Sequence, residues 1–331
     1  MEYYLGCDLG GTNLRAGLVN ANSGEVLSLI SVPTVAREGH TAVMARIANL
    51  LNDIVRDSGI PTHLIRGIGI GAPGALDIQN GRTLRLPNFP GNWPDVPVAD
   101  TISAATNLPV YLINDVRAIT FGEWRFGAGH GANTMACIAI GTGIGGGLIL
   151  DQKLHLGYGG KAGEVGHTVL DPNGPRCGCG GHGCVETYAS GPAIAAMGLK
   201  AITQGLNTNM GALVDYDLNR ITPKVIYQAA LEGDTVAREI FDRAGQAIGL
   251  LAANLIVAVG PDTIVIGGGV AQAGEILLDP IRRTIRNLIK IFSVDEILVV
   301  PARLGNDAGV IGSAMWARER NLLRAPTRVQ D

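Results

Sequence analysis

The sequence predicts an α/β fold of two lobes, and three observations carry that prediction. At 331 residues the chain is longer than one hydrophobic core usually serves. A strand, strand, strand, helix, strand order opens it and starts again near residue 134. Each copy sets a glycine turn between its first two strands, Gly10-Gly11 in one and Gly141-Thr142-Gly143 in the other.

In the first copy, β-prone runs bounded by turn residues read as strands Tyr3 to Leu9, Leu14 to Asn20 and Glu25 to Val32. Val43, Ile47, Leu50, Leu51, Ile54 and Val55 then fall on one face of a helix from Gly39 to Ser58, and strand Gly67 to Gly71 follows. The second copy begins with strands Thr134 to Ile140 and Gly147 to Leu150, followed by Leu154-His155-Leu156. Helices are predicted near Pro192 to Gln204, Pro223 to Leu231 and Thr235 to Val259, before strand Thr263 to Gly267. A last helix, residues 307–320, is expected to complete a small N-terminal lobe of residues 1–116. Residues 117–306 form the larger lobe, with a metal-binding loop at 167–186 and a cleft for ligands between the lobes.

Composition narrows the function. Apolar residues make up 47% of the chain and charged residues 17%, a balance that builds cores and not disorder. With 26 basic and 29 acidic residues the net charge is −3, which offers no footprint for nucleic acid or an anionic membrane. The longest apolar stretch, Ala247 to Val259, is broken by Asn254 and falls short of the about 20 residues a bilayer needs, so it reads as a buried helix. Met1 leads straight into Tyr3-Tyr4-Leu5-Gly6-Cys7-Asp8 without the sections of a signal peptide, and a cytoplasmic location is expected.

Glycine is the most unusual count, 47 residues, about twice the ordinary share of roughly 7%. In Asp8-Leu9-Gly10-Gly11-Thr12-Asn13 the glycines can turn backbone N–H groups toward an anion. The turn lacks the Gly-Lys-Ser/Thr of a P-loop and runs into a strand, so neither the P-loop nor the dinucleotide reading fits. One such turn is as readily a plain hairpin; the matching Gly141-Thr142-Gly143-Ile144-Gly145-Gly146-Gly147 favours phosphate binding at both. Asp8 offers oxygen ligands for Mg²⁺, or caps the turn. Gly267-Gly268-Gly269 leaves room for a flat adenine ring against backbone, or starts a helix.

Phosphoryl transfer to an alcohol needs a group that orients the hydroxyl and accepts its proton, usually a carboxylate. Asn114-Asp115 ends the strand Val110-Tyr111-Leu112-Ile113, at the carboxyl edge where α/β ligand sites lie; a simple Asx turn pair is the other reading. Of five cysteines, Cys177, Cys179 and Cys184 fall together, while Cys7 and Cys137 sit in apolar strands. With His167 the three form a closed tetrahedral set for a structural zinc, with His182 as a possible substitute ligand. Gly178 and Gly180 allow the sharp turn that lets a Cys-x-Cys pair converge. Glu164 and Glu186 flank the cluster, placed to meet a polyhydroxy substrate.

Together, Asp8 to Asn13, Asn114-Asp115, Ile140 to Gly147, Gly163-Glu164-Val165-Gly166-His167 and Cys177 to Glu186 resemble the ROK family of sugar kinases over nearly the whole chain. The resemblance implies an actin-like ATPase (ribonuclease H-like) fold of duplicated βββαβα units. It implies Asp115 as the base, with Asn88, Asn114, Glu164, His167 and Glu186 against the sugar hydroxyls. His167 would serve zinc through one ring nitrogen and sugar through the other. It implies Gly10, Gly11, Thr12 and Thr142 at the phosphates of MgATP, Gly268 and Gly269 near the adenosine, and a homodimer or homotetramer.

The stretches Leu86 to Trp93 and Arg125 to Gly129 are similar to those of the family's glucose-phosphorylating members, so the expected reaction is ATP-dependent phosphorylation of glucose at its 6-hydroxyl. N-acylhexosamine and fructose kinases share the same motifs and are the alternatives, with a non-catalytic sugar-binding regulator behind them. Repressor members carry a winged helix-turn-helix before the sugar lobe, and the turn at Gly10 is expected to leave no room for one. After the base the family commonly continues Ala-Asn-Ala where this chain has Val116-Arg117-Ala118, a departure that bears on the sugar.

Overall fold

Tyr3–Leu9 (β1), Asn13–Asn20 (β2) and Val26–Pro33 (β3) form an antiparallel meander, and β3 alternates half-buried and exposed residues as an edge strand should. Helix Gly39–Asp57 (α1) follows, burying Val43, Ile47, Leu50, Leu51 and Ile54. Strand Ile65–Ala72 (β4) then runs parallel to β1. The computed structural model describes residues 1–324, which divide into two units, each with its own core.

In the first unit a small hairpin, Ala75–Asp77 (β5) and Arg82–Arg85 (β6), leads to helix Val98–Thr106 (α2), strand Val110–Asn114 (β7) and helix Asp115–Phe126 (α3). The sheet order is β3-β2-β1-β4-β7, with β1, β4 and β7 parallel. Its core gathers Leu5, Leu9, Leu14, Leu18, Ile47, Leu51, Ile68 and Ile70, all fully buried.

The second unit repeats the plan. Met135–Ile140 (β8) and Ile144–Leu150 (β9) pair antiparallel across the Gly141–Gly143 turn, and Lys153–His155 (β10) follows. Helices Glu186–Ala189 (α4), Gly191–Thr203 (α5), Pro223–Leu231 (α6) and Thr235–Val259 (α7) lead to strand Thr263–Gly267 (β11), helix Glu275–Leu288 (α8) and strand Leu298–Pro301 (β12). β11 runs parallel to both β8 and β12, as β4 does to β1 and β7. Side-chain caps mark the helix starts: Ser190 on α5, Thr222 on α6 and Asp234 on α7, each contributing about 1 kcal/mol.

α7 is longer than the apolar stretch read from the sequence, and by length and composition alone it could cross a membrane. It is instead the core helix of the second unit: Ile240, Phe241, Ile248, Leu251 and Ile256 pack with Ile138, Ile264 and Ile266.

The last helix, Ala308–Arg324 (α9), returns to the first unit, and its approach explains two strand glycines. A Cβ on Gly6 would stand 1.9 Å from the Val310 carbonyl oxygen, and one on Gly69 1.7 Å from that of Ser313. Trp316 Nε1 donates to the Leu112 carbonyl at 2.9 Å, tying α9 to β7. Among the described residues the first unit comprises 1–131, 154–162 and 304–324, so the boundary lies beyond the residue 116 expected from sequence. α3 packs along α9, so close that a Cβ on Gly312 would meet the Ala118 carbonyl oxygen at 1.7 Å. That contact joins residues far apart in the chain, which local pattern cannot reveal.

Candidate active site

The carboxyl ends of the parallel strands gather the expected residues of the first unit. Asp8 lies opposite Gly71 in the β1–β4 register, and Ala72 opposite Asn114 in the β4–β7 register, so Asp8 and Asn114-Asp115 share one end of the sheet. The turn between β1 and β2 closes with Gly10 N–H donating to the Asn13 carbonyl at 3.0 Å. Thr34, fully buried and unremarked in the sequence, holds this turn from behind: its Oγ1 donates to the Gly10 carbonyl at 2.6 Å, and its N–H to that of Thr12 at 2.8 Å. A trans peptide points its N–H opposite its C=O, so the Gly11 N–H faces away from Thr34, as an anion cradle requires. Asn88 stands exposed after β6, its backbone oxygen 3.4 Å from where a Gly11 Cβ would be.

Asn114 does two things at once. Its Oδ1 caps α3 by accepting from the N–H groups of Val116 and Arg117, at 3.1 and 3.3 Å, and its Nδ2 donates to the Gly74 carbonyl at 3.4 Å. The cap sets Asp115 at the first position of α3, half-buried, directly beyond the strand. Asp8 is held up to about 6, by burial first and then by the negative charge of Asp115, with the Arg15 guanidinium opposing. Two carboxyl groups in that relation fit a divalent cation as their counter-charge.

In the second unit the Gly141–Gly143 turn and Gly268-Gly269 share the carboxyl ends of β8 and β11, where Ala139 lies opposite Gly267. Gly268 has φ +83°, and a Cβ there would stand 2.3 Å from the Ile140 carbonyl oxygen, so only glycine fits. Gly141 N–H donates to the Gly143 carbonyl at 2.8 Å, and the Gly141 carbonyl accepts from the Gly191 N–H at the start of α5, also at 2.8 Å. Glu186 Oε2 accepts from the Ile144 N–H at 2.9 Å, and a Cβ on Gly143 would come within 2.4 Å of that oxygen. Glu186 therefore braces the second glycine turn, a role that 42 residues of separation hid in the sequence.

The same carboxylate reaches the cysteine cluster, with Oε1 3.7 Å from Cys177 Sγ. His167, Cys177, Cys179 and Cys184 place one ligand atom each within 4.8 Å of one another. Cys177 Sγ lies 3.8 Å from His167 Nδ1, and Cys179 Sγ 3.7 Å from Cys184 Sγ. These match the edge of a tetrahedron with metal–sulfur bonds of about 2.3 Å, and are far beyond a disulfide's roughly 2 Å. Burial pushes the Cys184 thiol up to about 12 and raises Cys177 as well, while the Gly181 backbone N–H lowers Cys179, so a cation is what lets Cys177 and Cys184 join it as thiolates. The donor set fits zinc. His182, the substitute ligand considered, turns its Nδ1 instead to the Gly174 carbonyl, 3.3 Å away. Glu164 opens the short turn that presents His167, its carbonyl accepting the His167 N–H at 3.1 Å.

A cavity of about 660 Å³ in the first unit, lined among others by Gln79, Asp100, Ser103, Tyr111 and Arg320, contains none of the expected site residues.

Comparison with known proteins adds four likenesses. The sequence profile of the ROK family matches residues 4–320. A glucokinase of Thermotoga maritima is 36% identical over 96% of this chain and 97% of its own length. The crystal structure of a ROK family glucokinase from Streptomyces griseus, in complex with glucose and AMPPNP, superposes with a TM-score of 0.81 at 34% identity, covering 96% of this chain and 99% of the other. A ROK hexokinase from Thermus thermophilus gives 0.79 at 31% identity, over 97% of this chain and 99% of that one.

Proposed function

Because the chain belongs to the ROK family, we propose that it transfers the γ-phosphoryl group of ATP to the 6-hydroxyl of glucose, giving glucose 6-phosphate and ADP. The observation that carries the reading is the placement of Asp8, the Gly10–Asn13 turn and Asp115 at the carboxyl end of one sheet. Asp115 is the base: as the 6-oxygen bonds to the γ-phosphorus and the bond to the β-phosphate oxygen breaks, the hydroxyl proton passes to its carboxylate. The backbone N–H groups of Gly11, Thr12, Asn13, Thr142 and Gly143 hold the phosphates, while those of Gly10 and Gly141 close their own turns, and dipoles fixed in advance need no reorganisation when charge shifts. Asp8 holds the Mg²⁺ that arrives with ATP and neutralises phosphate charge. Gly268 and Gly269 lie along the adenosine.

Asn88, Asn114, Asp115, Glu164, His167 and Glu186 are the residues for the sugar hydroxyls. His167, Cys177, Cys179 and Cys184 would hold zinc in a structural role, since four protein ligands leave no open position, and so held they would fix the loop between Glu164 and Glu186. On this reading the enzyme works in the cytoplasm, where ATP is at hand and thiols stay reduced. The assembly is a homodimer or homotetramer, which sedimentation of the purified chain tests.

The deciding experiment measures ADP release with MgATP on glucose, N-acetylmannosamine, N-acetylglucosamine, mannose and fructose, compared by kcat/KM. A lead for glucose supports the reading. A lead for an N-acyl sugar or for fructose keeps the mechanism and replaces the substrate, and no turnover on any of them leaves a sugar-binding regulator.

A further inference from the structure

None of the steps above uses Arg117. It stands in the first turn of α3, two residues beyond Asp115, and is only 3% exposed. Its guanidinium is charged at every physiological pH, and burying a cation costs free energy unless its N–H groups find acceptors. Nε donates to the Ala162 carbonyl at 2.8 Å, across 45 residues of sequence. Ala162 closes the 154–162 stretch of the first unit, where its own N–H donates to the Leu156 carbonyl at 3.0 Å. The next residue, Gly163, has φ +93°, and a Cβ there would stand 2.7 Å from the Gly146 carbonyl oxygen. Backbone fixed at Ala162 and again at Gly163 has little freedom left when it reaches Glu164, whose carbonyl starts the turn to His167.

We propose that Arg117 is a positioning residue for the hexose: by holding the Ala162 carbonyl it sets where the chain enters Gly163-Glu164, and so aims the Glu164 carboxylate. The inference rests on the kinase reading, with Glu164 on the sugar. A side chain that served only the packing of α3 would act on stability and on both substrates alike. One that acts through Glu164 separates hexose from nucleotide.

The test is a double-mutant cycle on the full chain. Arg117→Lys keeps the charge but loses the Nε–H at that place, and Arg117→Gln is a smaller, uncharged second probe. Each is made alone and with Glu164→Gln, and the KM values for glucose and ATP, kcat and Tm are read. Loss of a charge-assisted hydrogen bond predicts a rise in glucose KM of about tenfold or more, with ATP KM within about twofold. In the Glu164→Gln background the same change should shrink to less than about threefold. An unmoved glucose KM in both variants, glucose and ATP KM rising together, or a tenfold effect that persists without the Glu164 carboxylate overturns the inference. Where the unaltered chain is active on a hexose, those results count against this inference alone; absence of hexose turnover by the unaltered chain overturns the kinase reading and this inference with it.

Discussion

Asp8 and Asp115 are a pair whose charges oppose each other, and their chemistry separates cleanly by substitution. Asp115→Asn keeps the shape and removes the proton acceptor, so kcat should fall by about 10²- to 10⁴-fold while glucose KM stays within a few-fold, as steady-state kinetics will show. Asp8 behaves differently because its fold raises its pKa from 3.8 to about 6. Between those values the folded chain holds a proton that the unfolded chain has lost, so stability falls as pH rises through the window. Above it the buried carboxylate costs on the order of 3 kcal/mol in the metal-free protein. Asp8→Asn should therefore raise the apoprotein Tm at pH 7, an advantage that fades as pH falls from about 6 to about 4 and is absent below that, while turnover with MgATP collapses. A lower Tm at pH 7 would show that the carboxylate is already compensated.

At the scale of elements, the cysteine loop and the glycine turn of the second unit are one mechanical piece, joined by Glu186. Its two oxygens touch Ile144 N–H and approach Cys177 Sγ, so disturbance of either end should travel to the other. Metal analysis should find about one zinc per chain, and prolonged chelation should lower Tm and weaken glucose binding together. Chelated, zinc-free protein with unchanged glucose affinity would separate the loop from the sugar. Gly143→Ala works from the other side: the new methyl enters the place of Glu186 Oε2 and drives it from the Ile144 N–H. The expected result is a fall in kcat/KM for ATP of about tenfold or more, with the zinc retained.

At the scale of the whole molecule, two cores of comparable make-up are built on one repeated plan, and α9 closes the first of them. A Cβ at Gly69 would have to displace the Ser313 carbonyl of α9, so Gly69→Ala should destabilise the first unit by more than about 3 kcal/mol. Calorimetry should then show a transition shifted down and separated from a second that barely moves, because the core around Phe241 and Ile264 does not involve α9. A single transition that shifts as a whole would mean that the two cores melt as one.

Much of this was legible in the amino-acid order itself. β1, α6, α7 and β11 were readable to the residue, because apolar periodicity and the turn and cap residues beside them are local properties of the chain. The glycine turns, the aspartates at strand ends and the His167–Cys184 cluster were legible for the same reason: each is a short motif whose chemistry needs those residue types close together. What tertiary structure alone decided are the long-range contacts. Thr34 behind the first glycine turn, Glu186 on Ile144, Arg117 on Ala162 and the seating of α3 on α9, which moves the unit boundary past residue 116, each join residues far apart in the sequence. Their partners are backbone groups, whose carbonyls and N–H groups look the same at every position until the fold brings one of them within reach.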